Sequence, residues 1–227
     1  MEIHRKRRDR LLKDLQSGIA VISASLPQTR SHDTEHPYRP DSNFFYLTGF
    51  EETHALLVLC PNGKEHKTVL FVLPSDKKQE TWVGKRLGVD QAQRQLGIDR
   101  VYSVNEIDKI LPTLFAGHDR VYLDIFGRED YLKKTVDICR KLIGESRRKT
   151  VLPTSFMDIM PLIGKMRLIK TSDEIEMVKK GLQVTKDAHL AAMAFCGPGK
   201  NEKEVQAILE YVFMKNGGNP PAYGSIV

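Results

Sequence analysis

A chain of 227 residues is long for one ordinary domain and short for two large ones, and its 41% hydrophobic and 28% charged residues place it near the globular average, away from disordered chains. Thirty-five Lys+Arg against 29 Asp+Glu give a net charge of +6, but the dense basic runs, Arg5 to Arg10 and Arg147-Arg148-Lys149, lack adjoining stacking aromatics or a reading helix, so no nucleic-acid partner is expected. No apolar run approaches the roughly 20 residues of a membrane span, and Met1-Glu2-Ile3-His4-Arg5-Lys6-Arg7-Arg8 lacks the apolar stretch of a signal peptide, so no membrane partner and a cytoplasmic location are expected.

The first basic run reads as the wet side of a helix whose Ile3, Leu11, Leu12 and Leu15 face inward. Gly18 stops that pattern, and Ile19 to Ala24 reads as a buried strand. A long polar loop follows. Ala55 to Cys60 and Thr68 to Leu73 are apolar runs separated by Pro61-Asn62-Gly63-Lys64, and Asn-Gly between such runs predicts an antiparallel pair. Asp90 to Leu96, Glu106 to Phe115 and Arg128 to Ile143 read as helices, with strands at Val101 to Val104 and Arg120 to Ile125 between them. Strands alternating with helices after a hairpin predict an α/β fold, a mixed β-sheet flanked by helices, over residues 1–152.

Beyond about Thr150 strand signals stop and long helices take over, which sets residues 153–227 apart as a linker and the first helices of a second domain. Thr171-Ser172-Asp173-Glu174 is a capping box. Ile175, Val178, Leu182, Ala188, Ala192 and Phe195 then trace one apolar face until Gly197-Pro198-Gly199. Asn201 with Glu204 caps another helix that runs to Asn216 and stops at Gly217-Gly218. Asn219 to Val227 reads as a loop leading into a strand that meets no partner strand, so the second domain is expected to continue past residue 227. Cys60, Cys139 and Cys196 stand far apart in apolar surroundings and are expected to be reduced core residues.

The densest polar cluster runs from Arg30 to Asn43 and includes His32 and His36 at a spacing of four. Two such histidines share a face only on a helix, which Pro37 and Pro40 oppose. A hydrogen-bonded loop, with Arg30 and Arg39 pairing carboxylates, is therefore expected over a metal site. No G-x-S-x-G, P-loop, G-x-G-x-x-G or H-E-x-x-H motif occurs. His189, near the apolar stripe of its helix, reads as a structural histidine. Trp82, the single tryptophan, stands in a polar, glycine-flanked stretch where a large rigid face serves contact better than core packing.

The run Arg30-Ser31-x-Asp33-x-Glu35-x-Pro37-Tyr38-Arg39-x-x-Ser42-x-Phe44-x-Tyr46-Leu47-Thr48-Gly49-Phe50 resembles the amino-terminal domain of Xaa-Pro aminopeptidases. Trp82-Val83-Gly84-Lys85-Arg86-Leu87-Gly88 resembles that family's W-x-G-x-R-x-G loop. Met166-Arg167-Leu168-Ile169-Lys170 with Asp173-Glu174-Ile175 resembles its lead into the catalytic domain, and Pro221 to Val227 resembles that domain's first strand. The resemblance covers essentially the whole chain. It implies a small α/β domain like that of creatinase and prolidase, followed by the start of a "pita-bread" α+β catalytic domain.

It also implies a reaction, release of the residue that precedes proline at a peptide's amino terminus, carried out by two divalent ions, commonly manganese, bridging a water. In the family the metal ligands follow the stretch matched by Tyr223 to Val227, and from Tyr211 onward this chain has no Asp, Glu or His. No ion is therefore expected to be bound by this chain, which is expected to be inactive alone. Tyr223 matches a tyrosine lining the family's active site, a core strand tyrosine being the alternative. Trp82 and Asp33 resemble first-domain residues that approach an active site across a subunit boundary, so the substrate-binding expectations are Tyr223, Trp82 and Asp33. A peptide with proline at its second position is the expected substrate, and a homo-oligomer the expected state of the full-length protein. A stand-alone binding or oligomerisation module, and a prolidase, are the alternatives.

Overall fold

The structure, a computed structural model, describes residues 2–63, 65–127, 129–145, 150–219 and 221–226. The basic run Arg147-Arg148-Lys149 lies outside the described residues, as do Lys64, Arg128, Pro220 and Val227 from the predicted turn, helix and carboxy-terminal strand.

Short β-branched runs build the sheet. Its strands are β1 (Ile19–Ser23), β4 (Leu56–Leu59), β5 (Thr68–Val72), β6 (Arg100–Ser103), β7 (Arg120–Leu123) and β8 (Ser155–Asp158), in the order β6-β5-β4-β1-β7-β8. β2 (Thr29–Ser31) and β3 (Thr34–Glu35) form a separate hairpin. β4 pairs antiparallel with β1 and with β5, whereas the β5–β6, β1–β7 and β7–β8 pairs are parallel. The sheet is therefore mixed, and the predicted antiparallel pair is present with Leu57 opposite Leu70 and Val58 opposite Val69.

The helices are α1 (Glu2–Asp14), α2 (Ser42–Thr48), α3 (Lys77–Val83), α4 (Gly88–Gln95), α5 (Ile107–Phe115), α6 (Glu129–Glu145), α7 (Met160–Leu168), α8 (Ser172–Phe195) and α9 (Glu202–Lys215). Successive residues of a strand point to opposite faces, so each central strand feeds two cores. Ala20, Ile22, Leu57, Leu70 and Val72 join Leu11 of α1, Leu15 just after it, Phe44 and Leu47 of α2, Ala92 of α4 and Ile163 of α7 on one face. Ile19, Val21, Leu56, Val58, Val69 and Phe71 join Ile107, Leu111 and Phe115 of α5 and Cys139 of α6 on the other. Each fully buried Leu or Phe contributes about 1.5–3 kcal/mol relative to exposure, and both faces carry several.

Four sequence expectations change. Arg8, expected on the wet side of α1, is fully buried: Nη1 donates to Leu47 O at 2.8 Å and Nη2 to Leu96 O at 3.1 Å and Gly97 O at 2.6 Å. The expected long loop contains α2, which Asp41 caps by accepting from Asn43 N and Phe44 N, and which Gly49 ends in the left-handed region at φ 66. Strand signals do not stop at Thr150, because β8 pairs with β7 through backbone bonds that its alternating exposed and half-buried side chains do not announce. Cys196 is exposed at the end of α8, whereas Cys60 and Cys139 are buried, with thiols that burial pushes up to about 12 and about 11.

The chain divides into two compact units, Met1–Met166 and Arg167–Val227. The second consists mainly of α8 and α9, which pack on each other. Both expected capping boxes form. Thr171 N donates to Glu174 Oε2 at 2.8 Å, and Asn201 N donates to Glu204 Oε2 at 2.9 Å. Of the predicted apolar stripe Ala188 and Ala192 are buried, while Ile175, Val178 and Leu182 are exposed. The expected strand over the last residues is not formed among the described ones. An extended segment becomes a strand by pairing its backbone groups, and no strand of this unit offers itself for that. No helix among the described residues is long and apolar enough to cross a membrane.

Candidate functional site

The strand directions put the carboxyl ends of β1, β5, β6, β7 and β8 on one edge of the sheet, where β4 begins. In open α/β sheets this edge is where ligands are met. The two polar segments singled out in the sequence both leave from it: the β2–β3 hairpin after β1, and α3 after β5.

Asp33 lies with His32 in the tight turn between β2 and β3, both exposed. His32 takes φ 47, the left-handed conformation that such a turn requires. His36 follows β3, its backbone N–H donating to Gln28 O at 2.9 Å. The two histidines thus share no helix face. Among the described residues no group of three or more His, Cys, Asp or Glu is placed to hold a metal ion. The described residues of this chain therefore do not fit the two-ion centre. Arg39 donates to Ser42 Oγ at 3.1 Å, and among the described residues neither it nor Arg30 pairs a carboxylate. Both arginines are exposed, where water competes with an ion pair.

Trp82 occupies the last turn of α3 rather than a loop. Asp76 caps this helix by accepting from Lys78 N at 2.9 Å, and Gly84 ends it at φ 86. The helix buries none of its residues, and Trp82 is 89% exposed. Local bonds close the segment on itself: Ser75 Oγ donates to Glu80 Oε1 at 2.7 Å, and Arg86 Nη1 donates to Gln79 Oε1 at 3.0 Å. The Ser75 bond above all, with smaller pulls from nearby backbone and Arg86 and a partial opposition from desolvation, holds the Glu80 carboxyl below its ordinary range. Gly88, at φ 62, lies so close to Ser75 that a Cβ would come within 3.1 Å of it.

Sequence reasoning missed Glu52, in the loop leading into β4. Its Oε1 accepts the backbone N–H of Leu87 at 2.7 Å, and its Oε2 is buried with no partner among the described residues. Burial pushes its carboxyl above the ordinary range, opposed by the Leu87 N–H and by Arg86. Beside it, the Tyr38 hydroxyl donates to Ser25 O at 3.1 Å and lies 3.4 Å from Glu52 O. No local pattern marks Glu52, because an acidic pair in a loop reads as solvated. Tyr38, inside the quoted run, is the one signal that pointed here. Among the described residues no hydrogen bond or ring contact joins Asp33 to Trp82; what the structure brings together is their supports.

In the second unit Tyr223 lies in the irregular stretch after α9 and is 79% exposed, not a core strand residue. His189 Nδ1 bonds Thr185 O at 3.0 Å, so that nitrogen carries the proton and the ring is satisfied within its own helix.

Fold and edge together define a three-layer α/β domain that presents loops from one rim of a mixed sheet. The chain belongs to the family Aminopeptidase P, N-terminal domain, which it matches over residues 4–122. It is 36% identical over 225 residues to the Xaa-Pro aminopeptidase of Escherichia coli K12, covering 98% of this chain and 51% of that protein. The Haemophilus influenzae Xaa-Pro aminopeptidase is 31% identical over 223 residues, covering 98% and 49%. Among solved structures, the aminopeptidase PepP of Pseudomonas aeruginosa superposes with a TM-score of 0.94 at 36% identity, covering 98% of this chain and 51% of that one. The low-pH form of E. coli aminopeptidase P gives 0.92 at 36%, covering 99% and 52%. The chain spans about half the length of the curated relatives it matches, and that half is the amino-terminal one.

Proposed function

We propose that this chain is the amino-terminal part of an enzyme that hydrolyses the bond between a peptide's first residue and a following proline. The observation that carries this reading is the likeness to aminopeptidase structures over 98% of the chain at a TM-score of 0.94. In the reaction, water adds across the bond: the acyl carbon gains a hydroxyl and the proline nitrogen a proton. Two divalent ions, manganese by the family resemblance, would polarise the carbonyl and activate that water when bound. Their ligands are assigned to the half of the relatives that this chain does not match.

Within this chain Trp82 offers a rigid apolar face to the peptide, and Asp33 a negative charge of the sign a free amino-terminal ammonium seeks. Tyr223, exposed on the second unit, is assigned to the wall of the catalytic cleft. Of residues 153–227, 153–166 join the first unit through β8 and α7, and 167–227 are assigned to the first helices of the catalytic domain, whose exposed Ile175, Val178 and Leu182 are then covered by its remainder. The proposed assembly is a homo-oligomer in which Trp82 and Asp33 face a neighbouring subunit's cleft.

An extended protein that includes the second half, assayed on an Xaa-Pro dipeptide and on a longer Xaa-Pro-Xaa peptide, tests the reading. Release of the first residue from the longer peptide is expected. Cleavage of the dipeptide alone would identify a prolidase, and cleavage of neither would leave a binding module.

A further inference from the structure

Three backbone segments meet at the carboxyl edge of the sheet: the exit of β1 at Ser25, the approach to β4 at Glu52, and the exit of α3 at Leu87. Tyr38 reaches the first two with one hydroxyl, and Glu52 holds the third with its carboxylate at 2.7 Å. We infer that Glu52 is a positioning residue that fixes the hairpin bearing Asp33 and the helix bearing Trp82 in one mutual placement, so that the two act as a single peptide-facing wall. The inference rests on the reading of those two residues as substrate contacts.

The physical case begins with what does not hold α3. It buries no residue, so core packing leaves the position of Trp82 undetermined. What holds it is the frame of residues 75–88, closed by the Ser75–Glu80 and Gln79–Arg86 bonds and by the approach of Gly88 to Ser75. Such a frame moves as one body, and it must be tied down at its end. Leu87, next to Gly88, is where the tie is made. A carboxylate accepting an N–H is roughly twice as strong as a neutral bond, and it acts here at the residue that leads into α4 and whose side chain packs against the core, so the frame's end is anchored at that point.

The arrangement is also costly. Glu52 keeps an oxygen buried and, among the described residues, unpartnered, with Arg86 attracting and Glu80 repelling its charge. A buried half-satisfied carboxylate is a poor choice for stability alone. Its use here matches a demand for placement. On the other side Tyr38, itself half-buried, carries the strand-to-helix connection that continues from the Asp33 hairpin. Ser25 and Glu52 are joined in turn by the Ala24 N to Ala55 O bond of 2.8 Å, which extends the β1–β4 ladder to this edge.

The test uses Trp82 as the chain's single tryptophan. In Glu52→Ala, exchange of the Leu87 N–H should quicken by about tenfold, as for loss of a local tie, and the fluorescence anisotropy of Trp82 should fall, while amides of β4 and β5 keep their protection. Glu52→Gln, which retains the accepting oxygen, should restore most of both. In the extended enzyme Glu52→Ala should raise KM several-fold with kcat nearly unchanged, the pattern of lost binding geometry. Unchanged exchange and anisotropy in Glu52→Ala would overturn the inference, as would an unchanged KM once the segments had loosened. Trp82→Ala and Asp33→Ala with normal KM would instead remove the substrate-contact reading, an outcome separable from the tie because exchange and anisotropy are read on this chain alone.

Discussion

Arg8 Nη2 donates to the carbonyl oxygen of Gly97 at 2.6 Å, across 89 positions of sequence, inside the core. With the bonds to Leu47 O and Leu96 O, one guanidinium gathers the carbonyl ends of α2 and α4. Helix carboxyl ends carry partial negative charge and unpaired oxygens, so a planar cation with several donors suits the place. Burial lowers the Arg8 pKa, but the group starts high enough to stay charged.

Replacing Arg8 by Met should therefore cost about 3–5 kcal/mol, the range for breaking a buried charged network from one side. Arg8→Lys should also destabilise, because a single ammonium cannot span the fork of carbonyls. Urea unfolding measures both. A loss below about 1 kcal/mol for Arg8→Met would show that water readily takes over the three oxygens.

A second prediction concerns pH. His118 is 1% exposed, and among the described residues neither ring nitrogen finds a well-aligned partner. Burial pushes its pKa below 6.5, only partly offset by the carbonyls of Leu114 and Phe115 and by Asp119. His4, whose Nδ1 bonds Tyr46 O at 3.0 Å, is lowered too, by burial first and then by Arg7 against that bond. A histidine with a lowered folded pKa takes up its proton more readily in the unfolded chain. Stability is thus lost as pH falls through 6.5 and levels off below the folded values. Melting followed downward from about pH 7.5 should show this loss, and His118→Phe should shallow it. A curve of equal steepness in that variant would assign the loss to other groups.

How much of this was legible follows from the range of each signal. The β4–β5 pair and the caps at Thr171 and Asn201 are written within a few residues, and they form as read. α2 was also written locally, in Asp41 and Gly49, but seven residues are too few for periodicity to stand out. Arg8 and Glu52 could not be read, because their partners lie 39, 88, 89 and 35 positions away. A basic run and an acidic pair look solvated until the fold closes over them. For Trp82 the glycine-flanked polar context gave exposure correctly, while the short helix beneath it was hidden by the same polarity.

The exposure of Trp82 separates folding from function. A side chain 89% in solvent contributes little to the core, so Trp82→Ala should change unfolding free energy by no more than about 0.5 kcal/mol. In the extended enzyme the same substitution should lower peptide turnover several-fold. Calorimetric melting alongside steady-state kinetics distinguishes the two effects. A collapse in melting temperature with normal activity per folded molecule would return Trp82 to a purely structural role.

The last prediction follows from ligand chemistry. A pair of divalent ions needs several oxygen donors converging on it, with both ions close together to activate one water. Among the described residues no three candidate ligands converge, and the stretch after Tyr211 contributes no carboxylate or imidazole, its side-chain oxygens being the amides of Asn216 and Asn219 and the hydroxyls of Tyr223 and Ser225. Ser225 Oγ is committed to Glu210 Oε1 at 3.3 Å. A hydroxyl offers a single oxygen where a carboxylate offers two, so neither replaces a bridging carboxylate. Titration of this chain with manganese in a calorimeter should therefore show no stoichiometric binding, and excess manganese should produce no cleavage of an Xaa-Pro-Xaa peptide. The extended protein should bind two ions and cleave, and should lose activity to a chelator. Two tightly held ions on the present chain would place a metal site in the His32 to Asp41 cluster, with Asp33, Glu35 and both histidines the donors to replace first.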